Sequence, residues 1–473
     1  MGRHNIGIVG LGVMGRNLAL NFADKGFEVA VFDPWEKARE SFAEQLANEV
    51  NTDLTKQVTL VDSKRSLVDE LASPRFILFM VKAGEPVDAM IQSFIPLLKR
   101  GDSLIDGGNS HFQETIIRER LLNEKGMHFF GIGISGGEEG ARNGPSMMAG
   151  GNKDAYERAR PMLDAIAAKY EDAPCCALVG SDGAGHFVKT VHNGIEYAIM
   201  QIISEAYMIM RDVYHLDAQW CGRVFDEWNE TDLQSYLIEI SAKVLQKKDD
   251  LGSGALIDMI MDNAGQKGTG RWSSEAALHY GVPAITIAES VFARSMAAMK
   301  DERVFASAKL EGPRCNAAVA AGSSIGSLRN AVVAAVIVAY AQGLGLITAA
   351  SKEQKWDIDI TEVAKIWRNG CVIRASMLDD IAKAYLETPD LANLMCAPVF
   401  AQKLADCQKD WRSCLHLAIK QGVPIPALSS AVAYYDGYRS ARLSANLLQG
   451  QRDFFGAHTY ERIDREGLFH TQW

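Results

Sequence analysis

The sequence predicts an α/β domain with a doubly wound parallel sheet, followed by a large all-α domain and a C-terminal tail. From residue 5 to about 180, short β-rich segments alternate with helical ones, as in doubly wound α/β domains. A glycine-rich turn directly follows the first β-rich segment. From Gly185 onward, long segments rich in Ala, Leu, Ile and Met have helical spacing. We therefore divide the 473 residues into 1–184, 185–445 and 446–473.

Six predicted strands account for the sheet. Each is a short apolar run, and most end at a glycine or an aspartate: "NIGIVG", "FEVAVFD", "RFILFMV", "DSLIDGG", "MHFFGIGI" and "CCALVG". The first two are joined by "VMGRNLALNFADKG", a predicted helix that ends at Gly26. Such a βαβ unit implies parallel strands with a right-handed crossover.

The turn after the first strand has the spacing of a dinucleotide-binding site. In "IVGLGVMGRNLA", Gly10, Gly12 and Gly15 form G-x-G-x-x-G between a strand and a helix. The glycines allow a tight turn and close approach of a pyrophosphate, and the helix N-terminus supplies free N–H groups. The alternative is a purely structural turn. The spacing favours a Rossmann-type site whose loop residues are Gly10, Leu11, Gly12, Val13, Met14 and Gly15.

Asp33 closes the second predicted strand. A carboxylate there can accept hydrogen bonds from both ribose hydroxyls of an adenosine, and it would repel the 2′-phosphate of NADP. The residue therefore favours NAD. A turn-initiating role before Pro34 is compatible with this function.

Three further turns follow predicted strands. They are "MVKAGEP", "IDGGNS" and "GISGGEEGARNGPSMMAGG". In open parallel sheets, ligands bind outside the carboxyl ends of the strands. We expect the turns to contribute cofactor and substrate contacts, although loop geometry alone could explain their glycines. The candidates are Val81, Lys82, Ala83, Asn109, Ser135, Gly136 and Gly137.

The segment "GHFVKTVHNGIEYAIMQ" predicts a helix with one polar stripe. The stripe consists of Lys189, His192, Asn193, Glu196 and Tyr197, at positions i, i+3, i+4, i+7 and i+8. A solvated face is the simple alternative. Because the following "AIMQIISEAYMIM" is apolar nearly all round, we expect the helix to be enclosed and the stripe to face a ligand. This helix, around 186–214, and another around 327–349 are predicted to form the centre of the helical domain.

Composition excludes several functions. The net charge of −10 disfavours a nucleic-acid surface. We expect no secretory signal in "MGRHNIGIVG", and no uninterrupted apolar run reaches the roughly 18 residues of a membrane span. The eight cysteines show neither CxxC nor zinc-like spacing. They indicate reduced thiols and a cytoplasmic protein without a metal site.

Several long motifs resemble a known family. They are "GLGVMGRNLALN", "MVKAG", "IDGGN", "SGGEEGA", "DGAGHFVKTVHNGIEY", "QKGTGRW", "ESVFAR", "AVAYYDGYR" and "QRDFFGAHTY". Nearly end to end, the sequence closely resembles 6-phosphogluconate dehydrogenases, the decarboxylating enzymes of the pentose phosphate pathway. The resemblance implies oxidation of 6-phospho-D-gluconate at C3 by a nicotinamide cofactor, loss of C1 as CO2, and release of D-ribulose 5-phosphate, without a metal.

The resemblance also implies residue roles. Lys189 matches the general base and later acid, and Glu196 matches the residue that protonates C1 of the enediol. Substrate-positioning roles fall on Asn109, Ser135, Gly136, Gly137, His192 and Asn193. Tyr197, Lys267 and Arg294 match residues that bind the substrate phosphate. Arg452 and His458, from the tail of a second subunit, complete this set. A homodimer with exchanged tails is therefore implied.

The sequence departs from the family after the second strand. NADP-dependent members carry Asn-Arg there, whereas this chain has Asp33-Pro34 in "FDPWEK". The departure favours NAD, with NADP, the family norm, as the alternative.

Two other functions compete with this one. A short-chain 3-hydroxyacid dehydrogenase, such as one acting on 3-hydroxyisobutyrate, has a similar glycine loop and lysine but would not need the extra helices, Arg452 or His458. A catalytically inactive dinucleotide-binding protein is the other. The presence of both Lys189 and Glu196 counts against it.

Overall fold

The computed structural model describes residues 2–49, 51–265, 268–313 and 321–473. It confirms the predicted fold class: a sheet flanked by helices is followed by a mostly helical region. The strands are β1 (Ile6–Val9), β2 (Val29–Phe32), β3 (Val58–Leu60), β4 (Phe76–Phe79), β5 (Ser103–Asp106), β6 (His128–Ile134), β7 (Met147–Gly151), β8 (Lys169–Tyr170), β9 (Ala173–Pro174), β10 (Cys176–Gly180), β11 (Tyr460–Glu461) and β12 (Leu468–Phe469).

Eight strands form the main sheet in the order β10-β7-β6-β5-β4-β1-β2-β3. Strand β1 lies between β2 and β4, and Val9 is in register with both Phe32 and Phe79. Phe79 is in turn in register with Asp106 at the end of β5. The carboxyl ends of four parallel strands therefore lie at one edge, which brings the turns after β1, β2, β4 and β5 together.

The sheet differs from the predicted one in two respects. Strands β3 and β7 were not predicted, and β7 runs antiparallel to its neighbour β6. The glycines of "MMAGG" resemble a turn, but they have a packing role. A side chain at Gly150 would overlap the backbone of Gly185, because a helix crosses the sheet at this point. Close helix packing, rather than a turn, explains this composition.

The helices are α1 (Val13–Asp24), α2 (Glu36–Ala47), α3 (Thr52–Lys56), α4 (Lys64–Glu70), α5 (Glu85–Phe94), α6 (Phe112–Glu124), α7 (Gly137–Asn143), α8 (Lys153–Ile166), α9 (Ala184–Asp212), α10 (Ala218–Asn229), α11 (Tyr236–Gln246), α12 (Thr269–His279), α13 (Ile285–Ala298), α14 (Lys300–Ser307), α15 (Ala321–Gln354), α16 (Ile360–Ile366), α17 (Met377–Glu387), α18 (Pro398–Lys420), α19 (Pro426–Tyr438) and α20 (Ala445–Gly456). Short 3-10 turns cover Ile95–Leu97, Leu256–Met259 and Leu394–Cys396. The two long central helices are confirmed as α9 and α15.

Helix α9 rests directly on the sheet. A side chain at Gly131 of β6 would come within 2.5 Å of the His186 ring, and one at Gly133 would overlap Lys189. Because these strand positions are glycines, the helix approaches the sheet without an intervening layer of side chains. The contact places Lys189 against β6 at Gly133, two residues before Ser135, which directly follows the strand.

Helix α15 packs against α9 and α18. The apolar run in this helix is interrupted, as expected, but by length and composition Ile325–Gln354 passes as a candidate membrane span, since it contains an 18-residue window with a mean hydropathy of 2.0. Within the protein, 89% of its apolar window is buried. The apolar character of this helix is therefore accounted for by its central position in the helical region.

The tail is organised around one buried carboxylate. Asp453 on α20 is fully buried, and four donors from the chain end surround it at 2.9–3.0 Å: Thr459 N, His470 Nδ1, Thr471 N and Trp473 Nε1. The tail thus folds on itself as a helix followed by the β11–β12 hairpin. The sequence of this segment shows no clear period, so it did not indicate these elements.

Candidate active site

The glycine loop after β1 has open space at its centre. A side chain at Gly10, where φ is +103°, would lie 2.5 Å from the Met80 carbonyl oxygen, and one at Gly15 would overlap Gly10. No atom lies within 4 Å of the position that a side chain at Gly12 would take. Gly12 also precedes α1, whose first N–H groups have no side-chain cap. The loop therefore provides the space and donors that a pyrophosphate requires.

Asp33 is oriented by the glycine loop. Its Oδ2 accepts a 2.7 Å hydrogen bond from Leu11 N, and its Oδ1 accepts one of 2.9 Å from Trp35 N. Each carboxylate oxygen keeps a second lone pair for a ribose hydroxyl. Arg39 Nη1 donates to the Asp33 carbonyl oxygen at 2.7 Å, so this guanidinium is already engaged beside the loop.

The turns after β4 and β5 contact one another. A side chain at Gly108 would lie 3.2 Å from the Val81 carbonyl oxygen. Lys82 and Asn109 are exposed at the sheet edge, while Ala83 is half-buried. The candidate cofactor residues thus form one surface with the glycine loop.

Lys189, His192 and Ser135 form the buried centre of the candidate site. Lys189 Nζ lies 3.4 Å from His192 Nδ1, and His192 Nε2 lies 3.5 Å from Ser135 Oγ. His192 Nδ1 also lies 3.1 Å from Asn193 Oδ1, and its ring packs edge-on against Trp367 at 5.4 Å. This chain connects the helix stripe to the end of β6, as the helical spacing predicted.

Burial shifts the pKa of the predicted base and that of the predicted acid toward their neutral forms. Burial lowers the pKa of Lys189, although Glu196 opposes that shift. Burial raises the pKa of Glu196, opposed by Lys189 and Arg294. Burial and the nearby Lys189 also hold the pKa of His192 well below its usual range. A neutral amine and a protonated carboxyl on one helix are the pair required for removing and later donating a proton.

The turn after β6 requires left-handed glycines. Gly136 has φ +106° and Gly137 φ +61° at the start of α7. A side chain at Gly136 would come within 2.6 Å of the Gly370 carbonyl oxygen. The turn that carries Ser135 is therefore held against the segment that contains Gly370.

The candidate phosphate residues are only partly brought together. The Arg294 guanidinium lies 3.4 Å from the centre of the buried Tyr197 ring, and Arg294 Nη1 donates to the Gly265 carbonyl oxygen at 3.4 Å. Lys267 lies outside the described residues. Arg452 donates to Gln449, and His458 packs on Phe455. Within the described part of this single chain, neither Arg452 nor His458 contacts the Lys189 cluster.

Sequence reasoning missed three buried residues behind the turns. His186 Nε2 donates to the Asp106 carbonyl oxygen at 3.1 Å, and Asp106 lies 3.8 Å from Arg118. His186 and Asp106 both fall inside quoted motifs, but they are on faces without a predicted ligand. No sequence pattern indicated Arg118, because its distant partners lie at no regular spacing in the chain.

An open dinucleotide loop at the edge of the sheet, with a buried Lys189 and a half-buried Glu196 on the helix that crosses this sheet, defines an NAD(P)-dependent oxidoreductase. The family models described as the NAD binding domain and the C-terminal domain of 6-phosphogluconate dehydrogenase match residues 5–180 and 185–473. The chain belongs to the 6-phosphogluconate dehydrogenase family.

Individual relatives support this membership across the full length. The chain is 49% identical over 474 residues to an NADP(+)-dependent, decarboxylating 6-phosphogluconate dehydrogenase of Bacillus subtilis, covering all of both chains. It is 46% identical to an NAD(+)-dependent one from the same species, covering 99% of each. A Plasmodium falciparum 6-phosphogluconate dehydrogenase, solved apo, with NADP+ and with 6-phosphogluconate, has a TM-score of 0.94 at 38% identity, covering 99% of this chain and 100% of that one.

Proposed function

We propose that this protein oxidises and decarboxylates 6-phospho-D-gluconate to D-ribulose 5-phosphate and CO2, with reduction of NAD(P). The observation that carries the proposal is the placement of Lys189 and Glu196 on one enclosed helix that packs directly on the dinucleotide-binding sheet. Seven residues correspond to a rise of roughly 10.5 Å. The two groups can therefore address separate atoms of a polyol that lies along α9.

Lys189 and Glu196 carry out the proton transfers of the reaction. A nicotinamide dinucleotide held by the glycine loop and Asp33 would supply the hydride acceptor for C3 of the substrate. Neutral Lys189 removes the C3 hydroxyl proton, and the resulting ammonium stabilises negative charge on the C3 oxygen as the C1 carboxylate leaves. Protonated Glu196 then donates a proton to C1 of the enediol. The buried Ser135–His192 pair supports substrate hydroxyls, and Arg294 over Tyr197 supplies positive charge for the phosphate.

The test is a combined assay of CO2, ribulose 5-phosphate and reduced cofactor, supplied as NAD or NADP. We expect all three products in equal amounts from 6-phosphogluconate and no turnover of 3-hydroxyisobutyrate. Reduction of the cofactor by 3-hydroxyisobutyrate without CO2 would favour the short-chain alternative. Dinucleotide binding without turnover of either compound would indicate the inactive alternative.

We also propose that NAD is the preferred cofactor. The Asp33 carboxylate is 8% exposed and fixed by Leu11 N, so it cannot withdraw from a 2′-phosphate without breaking the loop contact. Pro34 has no N–H to donate. Arg39 is held by the Asp33 carbonyl oxygen. Like charges would therefore meet with no cation already aimed at the phosphate.

Replacing Asp33-Pro34 by Asn-Arg is expected to shift the ratio of kcat/KM values toward NADP. A gained charge-assisted contact corresponds to about 1–3 kcal/mol. Initial rates with both cofactors measure the shift. Arg39→Ala is the matched control and should leave the ratio unchanged. A parent protein that already prefers NADP would contradict this account of Asp33 but not the roles of Lys189 and Glu196.

A homodimer with exchanged tails is proposed from two exposed apolar surfaces. One is on the tail: Leu447, Leu448, Phe454, Phe455 and Trp473. The other is on the body: Met259, Ile260, Met261, Phe292, Met296 and Phe305. Several large exposed apolar side chains on one region are typical of interfaces. A second copy of the chain would cover both surfaces and bring Arg452 and His458 to the neighbour's phosphate site.

Mixed dimers provide the test of tail exchange. Lys189→Ala and Arg452→Ala subunits should each be inactive, and a mixed dimer should regain about one site in two by twofold symmetry. Activity after subunit exchange is measured against each variant alone. If exchange is demonstrated by mass but activity does not return, the tail acts within its own chain.

The remaining proposals concern organisation and location. We propose the division into residues 1–184, 185–445 and 446–473, because the helical region begins with α9 at Ala184 and the self-folded tail with α20 at Ala445.

We further propose a cytoplasmic location. It is supported by seven free cysteines among the described residues, of which six are buried.

A further inference from the structure

A buried arginine lies beneath the two turns that the proposed function assigns to cofactor and substrate. The Arg118 side chain on α6 is 3% exposed; it contacts the segment that follows β4 and lies 3.8 Å from Asp106, the last residue of β5. We propose that Arg118 is a positioning residue that fixes these two turns relative to each other. The inference rests on the proposed function, because that function gives the turns their ligands.

One side of the guanidinium holds the turn after β4. Arg118 Nη2 donates to the Gly84 carbonyl oxygen at 3.1 Å. Nε and Nη2 also donate to the two carboxylate oxygens of Asp88, at 2.7 and 3.0 Å. Gly84 directly follows Ala83 and precedes α5, and Asp88 lies in the first turn of that helix. This side therefore locks the end of the cofactor turn to the start of α5.

The other side of the guanidinium faces the turn after β5. Arg118 Nη1 lies 3.8 Å from Asp106 Oδ2 and has no hydrogen-bond partner among the described residues. Asp106 is fully buried, and its carboxylate accepts hydrogen bonds from Gly108 N at 3.0 Å and Ser110 Oγ at 2.6 Å. Asn109 lies between these two donors. The arginine charge thus compensates the buried carboxylate that shapes the Asn109 turn.

The same pair of strands offers a matched control at its opposite end. Arg75 Nη1 lies 3.2 Å from Asp102 Oδ2, and these residues precede β4 and β5. Their side chains are 13% and 2% exposed. The pair therefore resembles Arg118–Asp106 in burial and in the strands it links, but it lies away from the turns. Loss of either pair should destabilise the fold, and only loss of Arg118 should alter ligand binding.

Arg118→Met is expected to lower kcat/KM by about tenfold to a hundredfold, since small displacements of positioning groups have effects of that order. Arg118→Lys keeps a charge near Asp106 but lacks the planar fork that reaches Gly84 and Asp88 together. We therefore expect the KM of this variant for 6-phosphogluconate to return close to the parent value. Its Kd for the dinucleotide should stay higher than that of the parent. A merely structural arginine would not produce this split.

The experiment compares full-length parent, Arg118→Met, Arg118→Lys and Arg75→Met. Thermal unfolding, dinucleotide titration by protein fluorescence and steady-state kinetics are measured for each. Similar losses of Tm in Arg118→Met and Arg75→Met, with weakened dinucleotide binding only at position 118, would support the proposal. Parent-like binding in a folded Arg118→Met, or equal weakening in Arg75→Met, would overturn it.

Misfolding of Arg118→Met and failure of the proposed function can each be told apart from failure of this proposal. If Arg118→Met does not fold, Arg118→Lys decides, and an unchanged dinucleotide Kd in that variant overturns the proposal. If the parent binds dinucleotide but does not decarboxylate 6-phosphogluconate, the proposed function fails. The dinucleotide titrations do not require turnover, so they still decide the role of Arg118.

Discussion

Replacing Lys189 by alanine is expected to reduce turnover about a thousandfold or more while binding of substrate and cofactor stays measurable. General bases typically contribute 10²–10⁴-fold, so about a thousandfold, or roughly 4 kcal/mol of barrier, is the expected scale. The variant removes the buried amine but leaves Arg294 and Tyr197 in place. Equilibrium titration together with residual initial rate measures both quantities. Turnover within about tenfold of the parent would exclude Lys189 as the base.

Lys189→Arg separates charge from basicity. Arginine keeps a positive charge near the C3 oxygen, but it does not lose its proton in proteins. We expect this variant to be nearly as slow as Lys189→Ala. Activity close to that of the parent would assign Lys189 an electrostatic role only.

Replacing Glu196 by glutamine is expected to slow release of ribulose 5-phosphate by about 10²–10⁴-fold. The amide keeps the shape of the side chain but cannot donate a proton to C1. Hydride transfer and CO2 loss precede that step, so the first turnover should still give a burst of reduced cofactor. Reduced cofactor and ketopentose are assayed separately. An unchanged rate of ketopentose formation would remove Glu196 from the mechanism.

Glu205→Gln is the matched control for this variant. Glu205 lies on the same helix, is 1% exposed, and burial raises its pKa to about 7. Its carboxylate accepts hydrogen bonds from Ala427 N and Leu428 N, which begin α19. We therefore expect Glu205→Gln to lower thermal stability without separating cofactor reduction from ketopentose formation.

Lys189 and Glu196 set the sign of the pH dependence. The proposed mechanism requires a neutral amine and a protonated carboxyl, and burial shifts the pKa of Lys189 down and that of Glu196 up, each toward the required form. The rate should fall at low pH as Lys189 gains a proton, and at high pH as Glu196 loses one. Because the groups interact, the two limbs belong to the pair. Removal of the high-pH limb in Glu196→Gln is the expected signature.

Local spacing was sufficient to predict the loop and the helix stripe. The positions of Gly10, Gly12 and Gly15 follow from the geometry of one turn, and Lys189 and Glu196 from the period of one helix. These features involve near neighbours in sequence, so a single chain reveals them.

Other features depend on contacts between distant segments. Strand β7 was not predicted, because Gly150 serves the passage of α9 above it and looks like a turn in isolation. Arg118 reaches Gly84, 34 positions earlier in the chain, without any repeating pattern. The proposed role of Arg452 and His458 depends on the surface of a second subunit. Tertiary contact, rather than local preference, decides each of these cases.

The direct contact between α9 and the sheet limits how this protein can move. With bare backbone at Gly131 and Gly133, the start of the helix and the dinucleotide sheet behave mechanically as one body. A hinge at residue 184 would have to separate that interface. The dinucleotide site and the proposed base Lys189 would therefore move together, so that substrate entry leaves their spacing unchanged. A closing motion over the substrate would then involve segments beyond α9 or, in the proposed dimer, the tail of the second subunit.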